Sequence, residues 1–420
     1  MTIANAINKK VVIGVQGAKG TVCAADLATA QTMRFIKATQ GQTNETYASN
    51  EMRPDRQVGD VNLGPQSCDG NMSGELSPDT YEKLMAAIMR KAWATGEVSG
   101  PESDITVAVT SGASATFTSA ATATFITDGL KVGDVVRWTG FVVTGTDARA
   151  NNAHNFLITA LTEKIMTGTF LDGVAAIAKA ETEAVTVTVV GKKLWMPATA
   201  HTENWLTIEH NYSDVDLSEV FYDCKVSSMA IKAPATGIPT IDFSFLGLQV
   251  NDLLTGTSPY FSAALAITTT EAVLSGKAVV LIGGTAQALA TGIDLEVKGN
   301  NAAMAPVLGT NVKPGITDKR LEVTGNISIY FENATVRDLF KAGTEVSIYA
   351  VFPISDAADA DFIAIQIPRA KLTGAAKDGD AEIIQSIPFQ AIFNSAGDDG
   401  VTLTVDTLAT TLSIQDSEVS

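Results

Sequence analysis

Short runs that alternate apolar and polar residues dominate the chain and predict a protein built mainly of β-strands. "NWLTIEH" (204–210), "TIDFSFLGLQV" (240–250) and "GIDLEVKG" (292–299) alternate as half-buried antiparallel strands do. "ITVAVT", "ATATFIT" and "NFLITALT", between 105 and 162, are shorter and rich in Thr, Val and Ala. Turn pairs such as Asp128-Gly129 separate them, which is typical of a small sandwich or barrel.

A first predicted helix interrupts this pattern after residue 76. Met72, Gly74 and Leu76 alternate as a strand does, and then Ser77 is predicted to cap a helix with Pro78 at its first position. The following apolar residues recur at helical spacing and predict one buried face. That face consists of Tyr81, Leu84, Met85, Ile88 and Met89.

A second strand followed by a helix is predicted between 320 and 343. Positions 321 to 331 alternate, Asn333 is the predicted N-cap, and Gly343 is predicted to end the helix in the left-handed conformation. The two units predict a pseudo-duplicated β core in which each half supplies strands and one covering helix. Chance similarity between two strand-helix junctions is the alternative explanation.

The length predicts more than one domain. A chain of 420 residues exceeds the roughly 250 to 300 at which a single core stops growing. Gly96, Gly100 and Pro101 break the helical pattern, and the shorter Thr-rich strands follow them. We therefore predict a discontinuous β-sandwich or barrel core, residues 1–103 and 197–420, with short flanking helices. Residues 104–196 are predicted to form an inserted small all-β domain, immunoglobulin-like or a barrel.

The charge and the reactive residues point away from nucleic-acid binding and catalysis. A formal net charge of -17 disfavours binding to phosphate backbones, which requires clustered Lys and Arg. Three cysteines without CxxC spacing and three scattered histidines predict neither a disulfide framework nor a metal site. No catalytic constellation is evident, so we expect no enzyme activity and no cofactor. The apolar runs are too short to span a membrane, and the N-terminus lacks a signal-like segment.

Four stretches resemble the tail tube proteins (major tail proteins) of long-tailed bacteriophages. The first has a charged loop with Glu51, Arg53, Asp55 and Arg56, then a Gly64-Pro65 turn and "GNMSGELS" before the helix. "FYDCKVSSMAIKA" (221–233) is similar to a strand of that family, with Asp223 where the family often has Gly. "VTGNISIYF" (323–331) and the closing hairpin "IQIPRAKLTG" (365–374) and "IIQSIPFQAIFN" (383–394) resemble its C-terminal part.

The resemblance implies a structural virion protein of the phage tail, assembled in the bacterial host cytoplasm. Its copies would form homohexameric rings that stack into a tube surrounding the tape measure protein. The tail terminator and the distal tail or baseplate proteins would bind the tube ends, and genomic DNA would pass through the lumen without specific binding. An acidic wall fits this conduit because it repels a polyanion. The alternative from another class is a β-rich surface adhesin or fibre protein.

Two hypotheses concern assembly. The loop with Glu51, Arg53, Asp55 and Arg56 is the predicted ring-to-ring contact, because its charges could pair across an interface. The alternative is a solvated loop without a partner. The insert, 104–196, is expected to project from the tube exterior as a decoration, so that tubes survive its deletion.

Overall fold

The structure is a computed structural model that describes residues 4–141, 151–180, 184–253, 257–287, 289–379, 382–400 and 403–419. It is mainly β, with 48% of residues in strands and 6% in helix, which confirms the predicted fold class. The two α-helices of the described residues are α1 (Glu82–Met89) and α2 (Thr335–Ala342). Two short 3-10 helices, Ala6–Asn8 and Ser275–Lys277, complete the helical part.

The strands fall into consecutive groups. The first are β1 (Lys9–Gln16), β2 (Gln31–Thr32), β3 (Lys37–Ala48), β4 (Val61–Glu75) and β5 (Ala94–Thr95). The next are β6 (Val98–Glu102), β7 (Ile105–Ser111), β8 (Ser114–Ser119), β9 (Val135–Thr139), β10 (Phe156–Leu161), β11 (Ile165–Phe170), β12 (Lys179–Ala180) and β13 (Val185–Val189). Then follow β14 (Lys192–Trp195), β15 (Trp205–Tyr212), β16 (Leu217–Pro234), β17 (Thr240–Leu246), β18 (Gln249–Leu253), β19 (Val279–Ile282), β20 (Thr285–Ala286) and β21 (Ala290–Lys298). The remainder are β22 (Ala302–Ala303), β23 (Ile316–Thr317), β24 (Glu322–Tyr330), β25 (Glu345–Pro353), β26 (Phe362–Leu372), β27 (Ala376–Asp378), β28 (Ile384–Ala391) and β29 (Ser413–Asp416).

One large sheet joins nineteen of the described strands: β1–β5, β14–β21 and β24–β29. Its backbone is the antiparallel series β3, β4, β17, β16, β21, β24 and β28. The first half of β16 pairs instead with β15 and β18, so this long strand belongs to two regions of the sheet. A single apolar cluster collects buried side chains from most of these strands and from α1, and this shared burial holds the large sheet together.

The start of α1 differs from the sequence prediction. The helix begins at Glu82, and residues 78–80 form a turn in which Asp79 has a φ of +59°. That conformation is incompatible with a helix beginning at Pro78. The Oγ of Ser77 lies 2.7 Å from Oγ1 of Thr80, so it does not cap the helix. The predicted roles of Ser77 as N-cap and Pro78 as first helical residue were therefore wrong.

The second helix agrees better with its prediction. Gly343 ends α2 with a φ of 63°, in the left-handed region as expected. Asn333 accepts a hydrogen bond from the backbone N–H of Thr335 at 2.9 Å, although the capping position itself is Ala334, one residue later than predicted. Within α2 only Val336 is fully buried, so this helix covers the core less completely than α1 does.

Strands β6–β13 form a separate eight-stranded sheet with its own apolar cluster. Phe117 stacks on Trp138 with ring centroids 4.5 Å apart at its centre. The predicted strand at 121–127 was wrong, because residues 121–124 are irregular and 125–127 lie in a turn. The Nζ of Lys164 donates hydrogen bonds to the carbonyls of Ala121 and Ala123. A lysine side chain, and not a neighbouring strand, thus satisfies these two carbonyls. The small sheet starts at β6, six residues before the expected boundary, whereas β14 belongs to the large sheet.

The two sheets are joined by a buried interface, here called the joint. Its apolar part is a cluster that includes Val135 and Leu157 of the small sheet with Tyr349 and Phe362 of the large one. The side chain of Gln415 in β29 accepts a hydrogen bond from the Val135 N–H at 2.9 Å. It also donates to two backbone carbonyls of the small-sheet region at 2.8 and 2.7 Å. The small sheet is thus fixed to the large one by packing and by backbone hydrogen bonds.

Buried ion pairs add to the joint. The Nζ of Lys131 lies 2.6 Å from Asp398, and both side chains are almost fully buried. The Nζ of Lys193 lies 3.0 Å from Asp134 and 2.7 Å from Glu97. Burial alone would lower the pKa of Lys193, but the two carboxylates raise it above its usual range, so the lysine stays charged.

Candidate assembly surfaces

The β3–β4 hairpin extends beyond the rest of the sheet and exposes apolar side chains. β4 pairs with β17 only through Gly70–Glu75; farther along the hairpin, the Gln66 N–H donates a hydrogen bond to the Asn311 carbonyl, and Oε1 of Glu45 lies 3.5 Å from the Nζ of Lys313. We call residues 45–63 the hairpin arm. Five of its large apolar side chains are more than half exposed: Tyr47, Met52, Val58, Val61 and Leu63. An exposed apolar surface of this kind is typical of a contact with another protein chain.

The four predicted contact residues lie together in the loop of the arm but differ in their interactions. The Nη2 of Arg53 lies 3.0 Å from Oδ2 of Asp55, and both side chains are about half exposed. The hydrogen bonds from Arg53 and from the Gln57 N–H lower the pKa of Asp55. The Glu51 carboxylate and the Arg56 guanidinium form no ion pair and no hydrogen bond with another described residue; Glu51 is bonded only through its backbone N–H, which donates to Oγ of Ser49. Of the four predicted residues, Glu51 and Arg56 therefore have charged groups that remain available to a partner chain.

The five predicted residues of the helix face form the buried side of α1 and of the residue that precedes it. Tyr81, Leu84, Met85, Ile88 and Met89 are each no more than 2% exposed. Tyr81 packs on Phe243 with ring centroids 5.8 Å apart and donates its hydroxyl hydrogen bond to the Arg34 carbonyl. Its ring covers Gly74, where an added Cβ would lie 1.8 Å from the hydroxyl oxygen. The glycine of β4 is therefore what allows the tyrosine to close this side of the core.

Sequence reasoning missed a third surface, the outward face of the series β3, β4, β17, β16, β21, β24 and β28. We call it the polar sheet face. Short polar residues such as Thr39, Asn71 and Ser244 occupy much of it. Its charged residues are Lys37, Asp69, Glu75, Lys232, Asp242, Asp294, Glu296, Lys298 and Glu322. The strand alternation in the sequence marked each of these positions as solvent-facing, but only the pairing of distant strands brings them onto one face.

Acidic groups outnumber cations on the polar sheet face by six to three. Two of the three lysines are near carboxylates of the same face. The Nζ of Lys298 is 3.0 Å from Glu296, and that of Lys232 is 3.7 Å from Asp242. The face therefore presents a net negative potential over six strand spacings, without a patch of unpaired cations.

The sheet ends in an open edge next to this face. Among the described residues, β3 hydrogen-bonds to β4 and to no other strand. Alternate residues of this twelve-residue strand thus present backbone N–H and C=O groups on its outer side. Long free edges of this kind pair readily with another chain.

The profile of the family described as phage tail tube protein matches residues 8–391. This chain belongs to the phage tail tube protein family. The match includes the hairpin arm, both helices and the small sheet, and it ends before β29. No curated protein matches the chain. Family membership makes the chain a structural component of a phage tail and a part of the virion.

The titratable groups of this tail tube family member are the other candidates for a functional site. Within the described ranges, no group of three or more His, Cys, Asp or Glu side chains could hold a metal ion, and no helix could cross a membrane. Burial lowers the pKa of His210 to about 3, and the nearby Lys9 acts in the same direction. His154 instead contacts Asp172, with 2.6 Å between Nδ1 and Oδ2. All three cysteines are buried and free, and burial raises the pKa of Cys68 to about 12.

Proposed function

We propose that this protein assembles into homohexameric rings that stack into a tail tube, and that genomic DNA leaves the phage through the lumen. The proposal rests above all on the polar sheet face beside the free edge of β3. When the edge of one copy pairs with a neighbouring copy, the sheet continues from subunit to subunit around a ring. The polar sheet face then forms the wall of the lumen.

The charge of that wall supports a conduit for DNA. A phosphate backbone binds where Lys and Arg displace its counterions, and a face with six acids and three lysines offers little such binding. Repulsion keeps the polyanion away from the wall, so it slides without being held. The same lumen would enclose the tape measure protein before ejection. The tail terminator and the distal tail or baseplate proteins would close the two ends of the tube.

The residues 104–196 are proposed to lie outside the tube wall as an inserted domain on the core formed by 1–103 and 197–420. The small sheet supports this placement, because it packs on the large sheet through the joint and takes no part in the polar sheet face. The hairpin arm, with Glu51, Arg53, Asp55 and Arg56, is the proposed contact between rings. Assembly would occur in the host cytoplasm.

Negative-stain electron microscopy of the purified protein tests the proposal. We expect stacked rings with a uniform bore, and image classification along the tube axis should give sixfold symmetry. Isolated monomers or thin fibres without a bore would contradict it and would favour an adhesin or fibre protein. A bore with another symmetry would contradict the hexamer alone.

A further inference from the structure

A groove of about 540 Å³ lies beside α2, between that helix and the β19–β20 hairpin. Four buried aliphatic side chains line it: Ile282, Ile329, Val336 and Val346. Leu289, also part of its lining, is 40% exposed. Since Leu339 is only half-buried as well, the apolar surface on this side of α2 is incompletely covered.

The groove also contains a hydrogen-bond donor without an acceptor. Gln385 lines it and is 1% exposed, and its Nε2 has no partner among the described residues. A buried donor of this kind is destabilising until an acceptor reaches it. Along one side of the groove, β20 pairs only with β19 in the part of the chain that the structure describes. An incoming backbone would meet both a side-chain donor and a free strand edge.

The charge of the groove is negative. Its lining contains Glu332 and Glu345 and neither lysine nor arginine. Glu345 is already paired, because the Nε of Arg369 lies 2.6 Å from its Oε2. Glu332 is exposed and forms no ion pair with a described residue. A partner with an apolar side chain and a nearby cation would therefore match this groove.

The tip of the hairpin arm, residues 52–58, has these properties. Met52 is fully exposed and Val58 is about two-thirds exposed. The tip carries Arg53 and Arg56 against Asp55, a net charge of +1, and Arg56 is the arginine that Asp55 leaves unpaired. The registers place the Ile329 end of β24, next to the groove, on the same side of the sheet as Lys37 and Glu75, whereas the arm leaves from the opposite ends of β3 and β4. The tip of one copy therefore meets the groove of another copy rather than its own.

We propose that the arm tip of one copy binds the α2 groove of a neighbouring copy. Met52 and Val58 pack on the aliphatic lining, Arg56 lies beside Glu332, and a backbone carbonyl of the tip accepts the hydrogen bond of Gln385. The contact is heterologous, because each copy contributes its tip to one neighbour and its groove to another, so it propagates through an assembly. The inference rests on the proposed self-assembly and names the surface that receives the arm.

Disulfide trapping tests this contact in the full chain. In the double variant Met52→Cys/Leu289→Cys, mild oxidation should produce a ladder of covalent oligomers on a non-reducing gel, while each single variant stays monomeric. The three native cysteines are buried and should not compete. Met52→Cys/Ile267→Cys is the matched control, since Ile267 is exposed at 54% but lies outside the groove, and it should give no ladder.

A charge exchange without added cysteines provides the second measurement. We expect Arg56→Glu to reduce the sedimentable assembly about tenfold, because two carboxylates would then face each other, and Glu332→Arg in the same chain to restore it. Three results would overturn the tip contact while the wild type still forms tubes, which leaves the proposed tube intact. They are no cross-link in Met52→Cys/Leu289→Cys, an equal ladder from the control pair, and no effect of Arg56→Glu on assembly. A wild type that remains monomeric would overturn both.

Discussion

Asp223 is a buried residue that combines a left-handed backbone conformation with a hydrogen-bonded carboxylate. It lies in β16 at an irregularity of the pairing with β15, and it has a φ of 54°, a conformation that glycine adopts most easily. The resemblance placed it where tail tube proteins often have Gly, and the structure explains why. Its carboxylate accepts hydrogen bonds from the Gly20 N–H at 2.7 Å and from Gln249 Nε2 at 3.0 Å. These bonds offset the cost of the left-handed conformation.

We expect Asp223→Gly to lower the free energy of unfolding by about 1–3 kcal/mol, because the Gly20 and Gln249 donors lose their acceptor. Asp223→Ala should cost about 1 kcal/mol more, because alanine also bears the left-handed strain. Denaturant unfolding of the three proteins at the same pH measures both differences. Equal stability of Asp223→Gly and the wild type would show that the carboxylate contributes nothing to folding.

Asp416 predicts an unusual dependence of stability on pH. It is 2% exposed and accepts hydrogen bonds from the Asp79 and Glu418 N–H groups, but burial raises its pKa to about 7, and the charges of Asp79 and Glu418 act in the same direction. The unfolded chain ionises this group near pH 4, whereas the native state keeps it protonated up to about pH 7. Native protein therefore binds more protons in this interval, and its stability falls as the pH rises from 4 to 7.

The expected loss is about 1.4 kcal/mol for each unit by which the two pKa values differ. Chemical unfolding measured at intervals between pH 4 and 7.5 should show this decline, and Asp416→Asn should flatten it. The amide keeps one acceptor oxygen but cannot ionise. If the slope is the same in the variant, other groups carry the dependence.

At the scale of elements, the sequence predicted the strands well and their ends less well. Alternation located β17 and β21, since each has one face on the core, and it also located β15, although that strand is buried on both faces. The start of α1 was missed because Ser77 bonds to Thr80, a local competition that a capping pattern does not reveal. The helix faces followed from spacing alone, but the smaller burial of α2 depends on strands far away in the chain.

The two strand-helix units resemble each other in more than their order. Each helix has eight residues and ends in a left-handed residue, Arg90 in α1 and Gly343 in α2. Each preceding strand also has a glycine beneath an aromatic ring: Gly74 lies under Tyr81, and an added Cβ at Gly325 would lie 2.4 Å from Phe389. These shared features fit a pseudo-duplicated core, although the aromatic ring comes from the helix region in one half and from β28 in the other.

The hairpin arm should matter for assembly and little for folding. Arg53→Glu/Arg56→Glu should abolish tube formation while the monomer keeps its circular dichroism spectrum and unfolding midpoint, because both side chains are solvent-exposed and surface ion pairs add at most about 1 kcal/mol. Sedimentation and negative-stain microscopy give the result. Lys10→Glu, another exposed cation, serves as the control and should assemble normally. Tubes at normal yield from the double variant would exclude the arm as the ring contact.

At the scale of the molecule, the joint changes the expectation for the insert. A loosely attached decoration could be removed, but the small sheet covers Phe362 and neighbouring apolar residues of the large sheet and holds buried charges in place. We now expect deletion of 104–196 to prevent folding and therefore tube assembly. Soluble yield and circular dichroism check this. A folded, assembling deletion variant would support the original expectation of a removable decoration.

A smaller change separates the charges of the joint from its packing. Lys193→Met leaves Asp134 and Glu97 without their cation and should lower the unfolding free energy by about 3–5 kcal/mol. Lys192→Met is the neighbouring control and should change it little, since Lys192 has no ion pair among the described residues. These partners lie up to 96 positions apart in the chain, and Gln415 lies 280 positions from Val135, so no local sequence pattern could have predicted them.

The proposed lumen wall leads to a prediction for DNA release from the assembled tail. Asp69→Lys/Asp294→Lys reverses two exposed charges of the polar sheet face and should allow tubes to form while slowing DNA release about tenfold or more at low salt. Added salt should restore the rate, because it screens the new attraction. Asp338→Lys on α2 is the control outside the face. The rate of DNA release is measured from phage that carry the variant tails. An unchanged rate at low salt would show that another surface lines the lumen.

The position of β29 has a consequence for the order in which the chain folds. This strand lies between β14 and β26 and carries Gln415 into the joint, yet it follows every one of these partners in the sequence. During synthesis, the small sheet and most of the large sheet emerge from the ribosome before the strand that fastens them. The three hydrogen bonds of Gln415 across the joint can therefore form only after translation has passed residue 415, so the last strand completes an interface whose other parts have already been synthesised.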